Sequence, residues 1–213
     1  MDFILIIIDY IVHIDSHLGE IFLTYGKLSY LIIFGVIFAE TGFVFTPFLP
    51  GDSLLFASGA FAALSFIDIY TFLPIIWLAA VLGDNTNYWI GYIFGKKIID
   101  RSKISFINNK HMEKTKMFYK RHGGKTIFLA RFVPIIRTFA PFVAGIGKMY
   151  YPKFLFFSVF GGFVWVFGFT LLGYFFGNLD FVKENFSLVI LAIVVISLFP
   201  AVYEYLKEKY FEK

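Results

Sequence analysis

The sequence predicts an all-α membrane protein, and three observations carry that prediction. Of 213 residues, 59% are hydrophobic and only 16% charged, with a mean hydropathy of +0.76. Soluble domains carry about 25% charged residues, so this chain cannot present a water-compatible surface in every direction. Next, Phe154 to Gly177 is a run of 24 residues without a charge, enough to cross a bilayer core that needs about 20 apolar residues. Finally, two long apolar stretches are interrupted by prolines, glycines and charged side chains, a pattern tolerated at membrane depth only where the backbone is buried in protein or lines a cavity.

Charge sets the sidedness. Residues 1–68 hold seven acids and one base, Lys27, whereas 96–125 hold ten of the nineteen Lys and Arg residues. That cluster lies between apolar runs, so it reads as a cytoplasmic loop under the positive-inside rule and not as a nucleic-acid surface. The N-terminal MDFILIII opens on an acid where a signal peptide needs a basic region, so the start is expected to belong to the mature protein. Cysteine is absent, which removes disulfides, thiol catalysis and Cys-ligated metals; no cofactor is expected.

The elements follow in order, within one membrane domain covering 1–213. Residues 1–27 are expected to form an interfacial amphipathic helix, because Asp9, His13, Asp15, His17 and Glu20 interrupt the apolar run. Residues 30–66 are too long for one crossing and are expected to form a first re-entrant hairpin. A transmembrane helix follows at 70–95, then a basic cytoplasmic loop at 96–125 with its own amphipathic helix. A second re-entrant hairpin is expected at 126–149, a transmembrane helix at 154–177 and a last span at 186–206, with the C-terminus in the cytoplasm. Hairpin breaks are assigned to Pro47, Pro50 and Gly51 in the first and to Pro134, Pro141 and Gly145 in the second.

Laid side by side, Phe45-Thr-Pro47-Phe48-Leu-Pro-Gly51 matches Phe139-Ala-Pro141-Phe142-Val-Ala-Gly145. Gly91-Tyr-Ile-Phe-Gly95 likewise matches Gly173-Tyr-Phe-Phe-Gly177. The hairpins have opposite sidedness, so the reading is an inverted repeat, an arrangement in which broken segments meet near the midplane of transporters. Glu40 and Asp52 from one hairpin would then meet Arg131 and Arg137 from the other. Ionisable groups at membrane depth are costly and mark function by default; the alternative is an ion-pair network that merely locks the hairpins. Asp84, beside Asn85, Asn87 and Tyr88, is read either as a proton relay or as a backbone hydrogen-bond partner. Arg121, His122 and Lys125 read as solvated cytoplasmic charges, and Trp77, Trp89 and Trp165 as packing or belt residues.

Glu40-Thr-Gly followed by Thr46-Pro-Phe-Leu-Pro-Gly-Asp52-Ser-Leu-Leu resembles the first signature of the DedA (SNARE-associated, VTT-domain) family. Gly83-Asp84-Asn-Thr-Asn-Tyr88-Trp-Ile-Gly91 is similar to its second. Phe106-Ile-Asn, Gly123-Gly-Lys125, Arg131-Phe-Val-Pro134 and Arg137-Thr-Phe-Ala-Pro141-Phe-Val-Ala-Gly145 resemble its third. The likeness runs over roughly residues 17–180, and the family's functional acids and arginines match Glu40, Asp52, Arg131 and Arg137. It implies a lipid carrier of the bacterial cytoplasmic membrane, associated with returning undecaprenyl phosphate to the inner leaflet, with phospholipid flipping or scrambling, and with the proton-motive force.

The residue chemistry agrees with an anionic cargo. Arginine is permanently charged and holds phosphate with a planar fork, and two of them can offset the desolvation that forbids a lipid phosphate from crossing. Glu40 or Asp52, when ionised, would pair with arginine and, when protonated, would free it for phosphate; Asp84 is a further candidate for proton coupling or ion pairing. The expected function is therefore a proton-coupled flippase of undecaprenyl phosphate; the alternative is a phosphatidylethanolamine flippase or a passive scramblase. The paired arginines argue against the cationic substrate of an ion or drug–proton antiporter, and a lipid-phosphate enzyme would want a His or Cys beside the arginines, which neither hairpin carries. The expected partners are membrane lipids and protons and no nucleic acid; a homo-oligomer is compatible with the sequence.

Overall fold

The computed structural model describes residues 14–44, 51–101, 123–177, 179–185, 188–189 and 192, and every described element is helical. The expected last span at 186–206, the amphipathic helix of the basic loop, and Pro47 and Pro50 fall outside or almost wholly outside these residues. Helix α1 (Ile14–Tyr25) ends at a 3-10 turn, Gly26–Leu28, where Gly26 takes φ +50, a left-handed conformation that glycine adopts without a Cβ penalty. Helix α2 is Ser29–Gly42, α3 Gly51–Ala63, α4 Ile69–Arg101, α5 Lys125–Ala130, α6 Pro134–Ile146, α7 Tyr151–Phe176 and α8 Asp180–Glu184. Among the described residues three stretches are long and apolar enough to cross a membrane: Gly19–Gly42, which contains the 3-10 turn, Ile69–Phe94 and Tyr151–Phe176.

Local chemistry fixes several of the helix ends. Asp68 caps α4: its carboxylate accepts from the N–H of Tyr70 at 3.3 Å and of Thr71 at 3.0 Å, and from the Thr71 hydroxyl. Those donors hold the Asp68 carboxyl below its ordinary value, the Thr71 hydroxyl most of all. Pro134 opens α6 in the first turn, where its missing N–H leaves nothing unsatisfied. Helices α2 and α3 have 14 and 13 residues, about 20 Å each at 1.5 Å per residue, short of a core about 30 Å thick.

The short helices pack on the long ones more than on each other: α2 and α6 lie along α4, and α3 lies along α7. Two of these crossings are built alike. A β-carbon at Gly59 of α3 would overlap the Thr170 carbonyl oxygen of α7, and one at Gly145 of α6 would overlap the Tyr88 carbonyl oxygen of α4. Reciprocally, one at Gly173 would strike the Phe56 carbonyl, and one at Gly91 the Phe142 carbonyl. The like motifs at the crossings are thus Phe56-x-x-Gly59 and Phe142-x-x-Gly145. This register differs from the expected match of residues 45–51 to 139–145.

Two of the assigned breaks also need correction. Pro141 and Gly145 lie inside α6, which runs on to Ile146. A proline removes one N–H from a helix but does not end it when the chain on both sides is packed against a neighbour, and Gly145 serves the close approach to α4. The break in this stretch falls earlier, in the turn at Arg131–Val133 between α5 and α6.

Two apolar clusters bracket the middle of the bundle. One centres on Ile33, Ile37, Leu55, Phe72, Ile76 and Trp165, the other on Tyr88, Ile127, Ala144 and Phe154. Between them along α4 come Asp84 and Asn87, and along α7 Ser158. The outer faces carry large exposed apolar side chains, among them Leu31, Tyr70, Phe156 and Phe175, as a lipid-facing surface requires.

Candidate functional site: a buried ion-pair cluster at mid-depth

Each charged group of the cluster arrives from a helix end or a helix centre for a local reason. Glu40 is in the last turn of α2 and Asp52 in the first turn of α3, where a carboxylate complements the helix dipole. Gly51 is required between them, because a β-carbon there would overlap the Glu40 carboxylate. Asp84 and Asn87 stand one turn apart on the same face of α4. Arg131 lies in the turn after α5, and Arg137 on the first turns of α6. Ser158 and Trp165 are two turns apart on one face of α7.

These residues form two ion-pair groups. Arg137 Nη1 donates to Asp52 Oδ1 at 2.7 Å, and its Nη2 donates to Glu40 Oε1. Arg131 Nη2 donates to Asp84 Oδ2, which also accepts from the Ser158 hydroxyl at 2.6 Å. Trp165 lies between the groups. Its Nε1–H donates to Asp52 Oδ1 at 2.6 Å, and the guanidinium carbons of Arg137 and Arg131 stand over its ring at 4.4 and 5.7 Å from the centroid. All five charged side chains are buried: Glu40 and Asp84 at 0 and 1% exposure, Arg131, Arg137 and Asp52 at 2, 4 and 8%.

Asn87 ties this cluster to the backbone of both broken regions. Its Nδ2 donates to the Thr41 carbonyl at 3.1 Å and to the Thr138 carbonyl at 2.6 Å. Several polar atoms of the cluster are buried without a hydrogen-bond partner among the described residues, including Arg131 Nη1, Arg137 Nε, Asp84 Oδ1 and Asn87 Oδ1. The ionic groups are therefore matched in charge but not saturated in hydrogen bonds, a state with a desolvation cost that structural cores avoid. Three carboxyl groups face two guanidinium groups, so the fully ionised cluster carries one excess negative charge that a single proton neutralises.

The expected candidates Glu40, Asp52, Arg131 and Arg137 come together here, with Arg137 taking both acids of the first broken region. Arg131 instead pairs with Asp84. Sequence reasoning missed Trp165, Ser158 and the bridging role of Asn87; the i, i+3 spacing of Asp84 and Asn87 was the signal available for the last. Trp77, by contrast, donates to the Val159 carbonyl at 3.0 Å, and Trp89 packs beside Tyr92 and Tyr151 and is partly exposed, as belt and packing residues do. Lys125 is exposed at the start of α5, and Arg121 and His122 fall outside the described residues. Among the described residues no group of His, Asp and Glu is arranged to hold a metal ion.

The VTT domain family model matches residues 49–175, which contain every residue of the cluster except Glu40. Protein DedA of Escherichia coli K12 is 48% identical over 211 residues, covering 98% of this chain and 96% of that protein. An uncharacterized membrane protein of Mycobacterium leprae is 43% identical over 166 residues, 78% of this chain and 74% of its own. Inner membrane protein YghB of E. coli K12 is 29% identical over 191 residues, 86% and 87% of the two chains. No solved structure matches the chain. With the helical architecture, the apolar outer faces and these relatives together, the chain belongs to the DedA family of VTT-domain membrane proteins.

Proposed function

We propose that this protein is a flippase that carries an anionic lipid phosphate, undecaprenyl phosphate foremost, across the bacterial cytoplasmic membrane and couples the movement to protons. The observation that carries the reading is the pair of buried arginines, each with a donor, Arg131 Nη1 and Arg137 Nε, that has no hydrogen-bond partner among the described residues. With Glu40 and Asp52 protonated, one carboxylate faces two guanidinium groups, so a cationic cargo would meet repulsion here, whereas a phosphate monoester finds forked donors in a low-dielectric setting. Glu40 and Asp52 share Arg137, so protonating them releases guanidinium donors to phosphate, and ionising them reclaims those donors and expels it. The excess of one carboxyl over the arginines supports an obligatory proton in that exchange. The lipid is carried chemically unchanged.

Two features support the inverted-repeat architecture that such exchange needs. Helix α3, with 13 residues, is too short to span the bilayer by itself, and the end of α2 and the start of α3 bring Glu40 and Asp52 to one arginine. The like crossings at Gly59 and Gly145 exchange the short helix of each half with the long helix of the other. The C-terminus and the 96–125 loop are assigned to the cytoplasm from their basic charge.

The test is reconstitution into liposomes with fluorescent undecaprenyl phosphate and phosphatidylethanolamine in parallel, with and without an inward proton gradient. The expected result is movement of the polyprenyl phosphate, accelerated by the gradient and lost in Arg137→Lys, which keeps charge but not the fork. Movement of phosphatidylethanolamine alone, indifferent to the gradient, would overturn the reading in favour of a passive scramblase.

A further inference from the structure

We infer that Trp165 is the positioning residue of the anion site: its ring face holds both guanidinium groups while its N–H holds Asp52, so that the arginines can change anionic partners without losing their place. The inference rests on the lipid-phosphate reading above. An aromatic ring attracts a guanidinium by charge and accepts no conventional hydrogen bond from it, so the ring restrains the group while leaving its five donors to other partners. A carboxylate or a backbone carbonyl in the same role would occupy the donors that phosphate needs. Trp165 is fully buried at 0% exposure, and it is the single side chain contacting Asp52, Arg131 and Arg137 together in the described contacts.

Exchange at this site has a specific hazard. When Arg137 leaves Asp52 for phosphate, Asp52 loses the donor at 2.7 Å and still attracts the guanidinium by charge. The indole N–H, bound to the same Oδ1 at 2.6 Å, keeps Asp52 in place through the exchange. Gly161, one turn before Trp165 on α7, leaves the Arg131 side chain room on that face: a β-carbon there would stand 3.4 Å from Arg131 Nε. Trp165 thus links the Arg137 group to the Arg131 group, and both guanidinium groups face the same ring.

The chain has three tryptophans, so Trp77→Phe with Trp89→Phe leaves Trp165 as the single indole in the full-length protein. In detergent, geranylgeranyl phosphate is expected to change its emission, with geranylgeraniol as the neutral control leaving it unmoved. In the wild-type background, Trp165→Leu is expected to bind geranylgeranyl phosphate roughly 10- to 30-fold more weakly. Trp165→Phe, which retains a ring face, is expected to recover most of that loss, whereas Trp165→Met, similar in bulk to Leu, is not. Trp165→Phe and Asp52→Asn are expected to be non-additive in transport, because they break the same hydrogen bond.

If Trp165→Leu folds and binds within about twofold of wild type, or if Met rescues as well as Phe, the positioning role is overturned. A wild-type protein that binds geranylgeraniol as well as its phosphate overturns the lipid-phosphate reading itself, and this role with it. The two failures differ in which protein, variant or wild type, departs from expectation.

Discussion

Gly145 lies so close to the backbone of Tyr88 that a β-carbon at position 145 would overlap the Tyr88 carbonyl oxygen. Gly59 meets Thr170 in the same way, and each contact joins a short helix beside the ion-pair cluster to a long one. Helix association in a bilayer depends on such small residues, because lipid supplies no hydrophobic push between helices. Gly145→Ala and Gly59→Ala are each expected to destabilise the protein by about 1–3 kcal/mol through overpacking. Gly35→Ala and Gly168→Ala, where nothing stands within 4 Å, are expected to be neutral or slightly stabilising. Thermal denaturation of the four purified variants in detergent checks this, and equal behaviour across the set would remove the crossings from the account.

The bridge from Asn87 to the carbonyls of Thr41 and Thr138 joins regions 97 residues apart in sequence across one amide. Asn87→Ala is expected to cost about 1–3 kcal/mol, the usual loss for a buried hydrogen-bonding group. Asn87→Asp should cost more despite being nearly isosteric, because it turns a donor into an acceptor facing two carbonyls. Melting temperatures of the two variants decide it: an Asp variant as stable as wild type would show that the bridge contributes nothing.

At the N-terminal end of α4, Asp68 caps the helix while the Tyr30 hydroxyl accepts from its backbone N–H at 2.8 Å. The Asp68 carboxyl lies below its ordinary value in the folded protein, so its contribution is present at pH values above the ordinary carboxylate range. It is lost as the pH falls through that range to the folded value. The effect is small because the group is fully exposed to solvent. Asp68→Asn, still a good cap, is expected to match wild type at low pH and fall slightly below it at neutral pH. Asp68→Ala is expected to melt lower than both at neutral pH. Melting curves at pH 3.5 and 7 test the sign, and a wild-type advantage that grows on acidification would reverse it.

How much of this was legible in the sequence depended on the range of the signal. Helix α7 was legible because an uncharged apolar run sets its length directly; α4 was legible as a span at 70–95 despite Asp84, but it continues through the basic residues to Arg101. The convergence of Glu40, Asp52, Arg131 and Arg137 was legible because charges in apolar sequence have few tolerable places. The partnering within the cluster was not legible: Arg131 turns to Asp84, and only the packing of α5 on α6 and α7, with α7 against α4, decides that. Trp165 was hidden for a different reason. In a helix as rich in phenylalanine as α7, nothing local separates an indole under two guanidinium groups from one that fills a core or marks an interface. Pro141 misled because proline reports a missing N–H, and packing on α4 carries the helix through that gap.

The sharpest separation of structure from function lies at Arg137, which serves Glu40 and Asp52 at once. Arg137→Met strands two buried carboxyl groups, and breaking a buried pair from one side costs about 3–5 kcal/mol; low yield and a lowered melting temperature are expected. Adding Glu40→Gln and Asp52→Asn removes the stranded charges, and most of the stability should return, since a neutral substitute for a buried ion pair is often no less stable. Transport of the polyprenyl phosphate should not return, because the forked donor is gone. Melting temperature and liposome transport measured on the same three preparations read the two roles apart. A triple variant that is stable and still transports would show that Arg137 only holds the helices together, leaving Arg131 to meet the cargo alone.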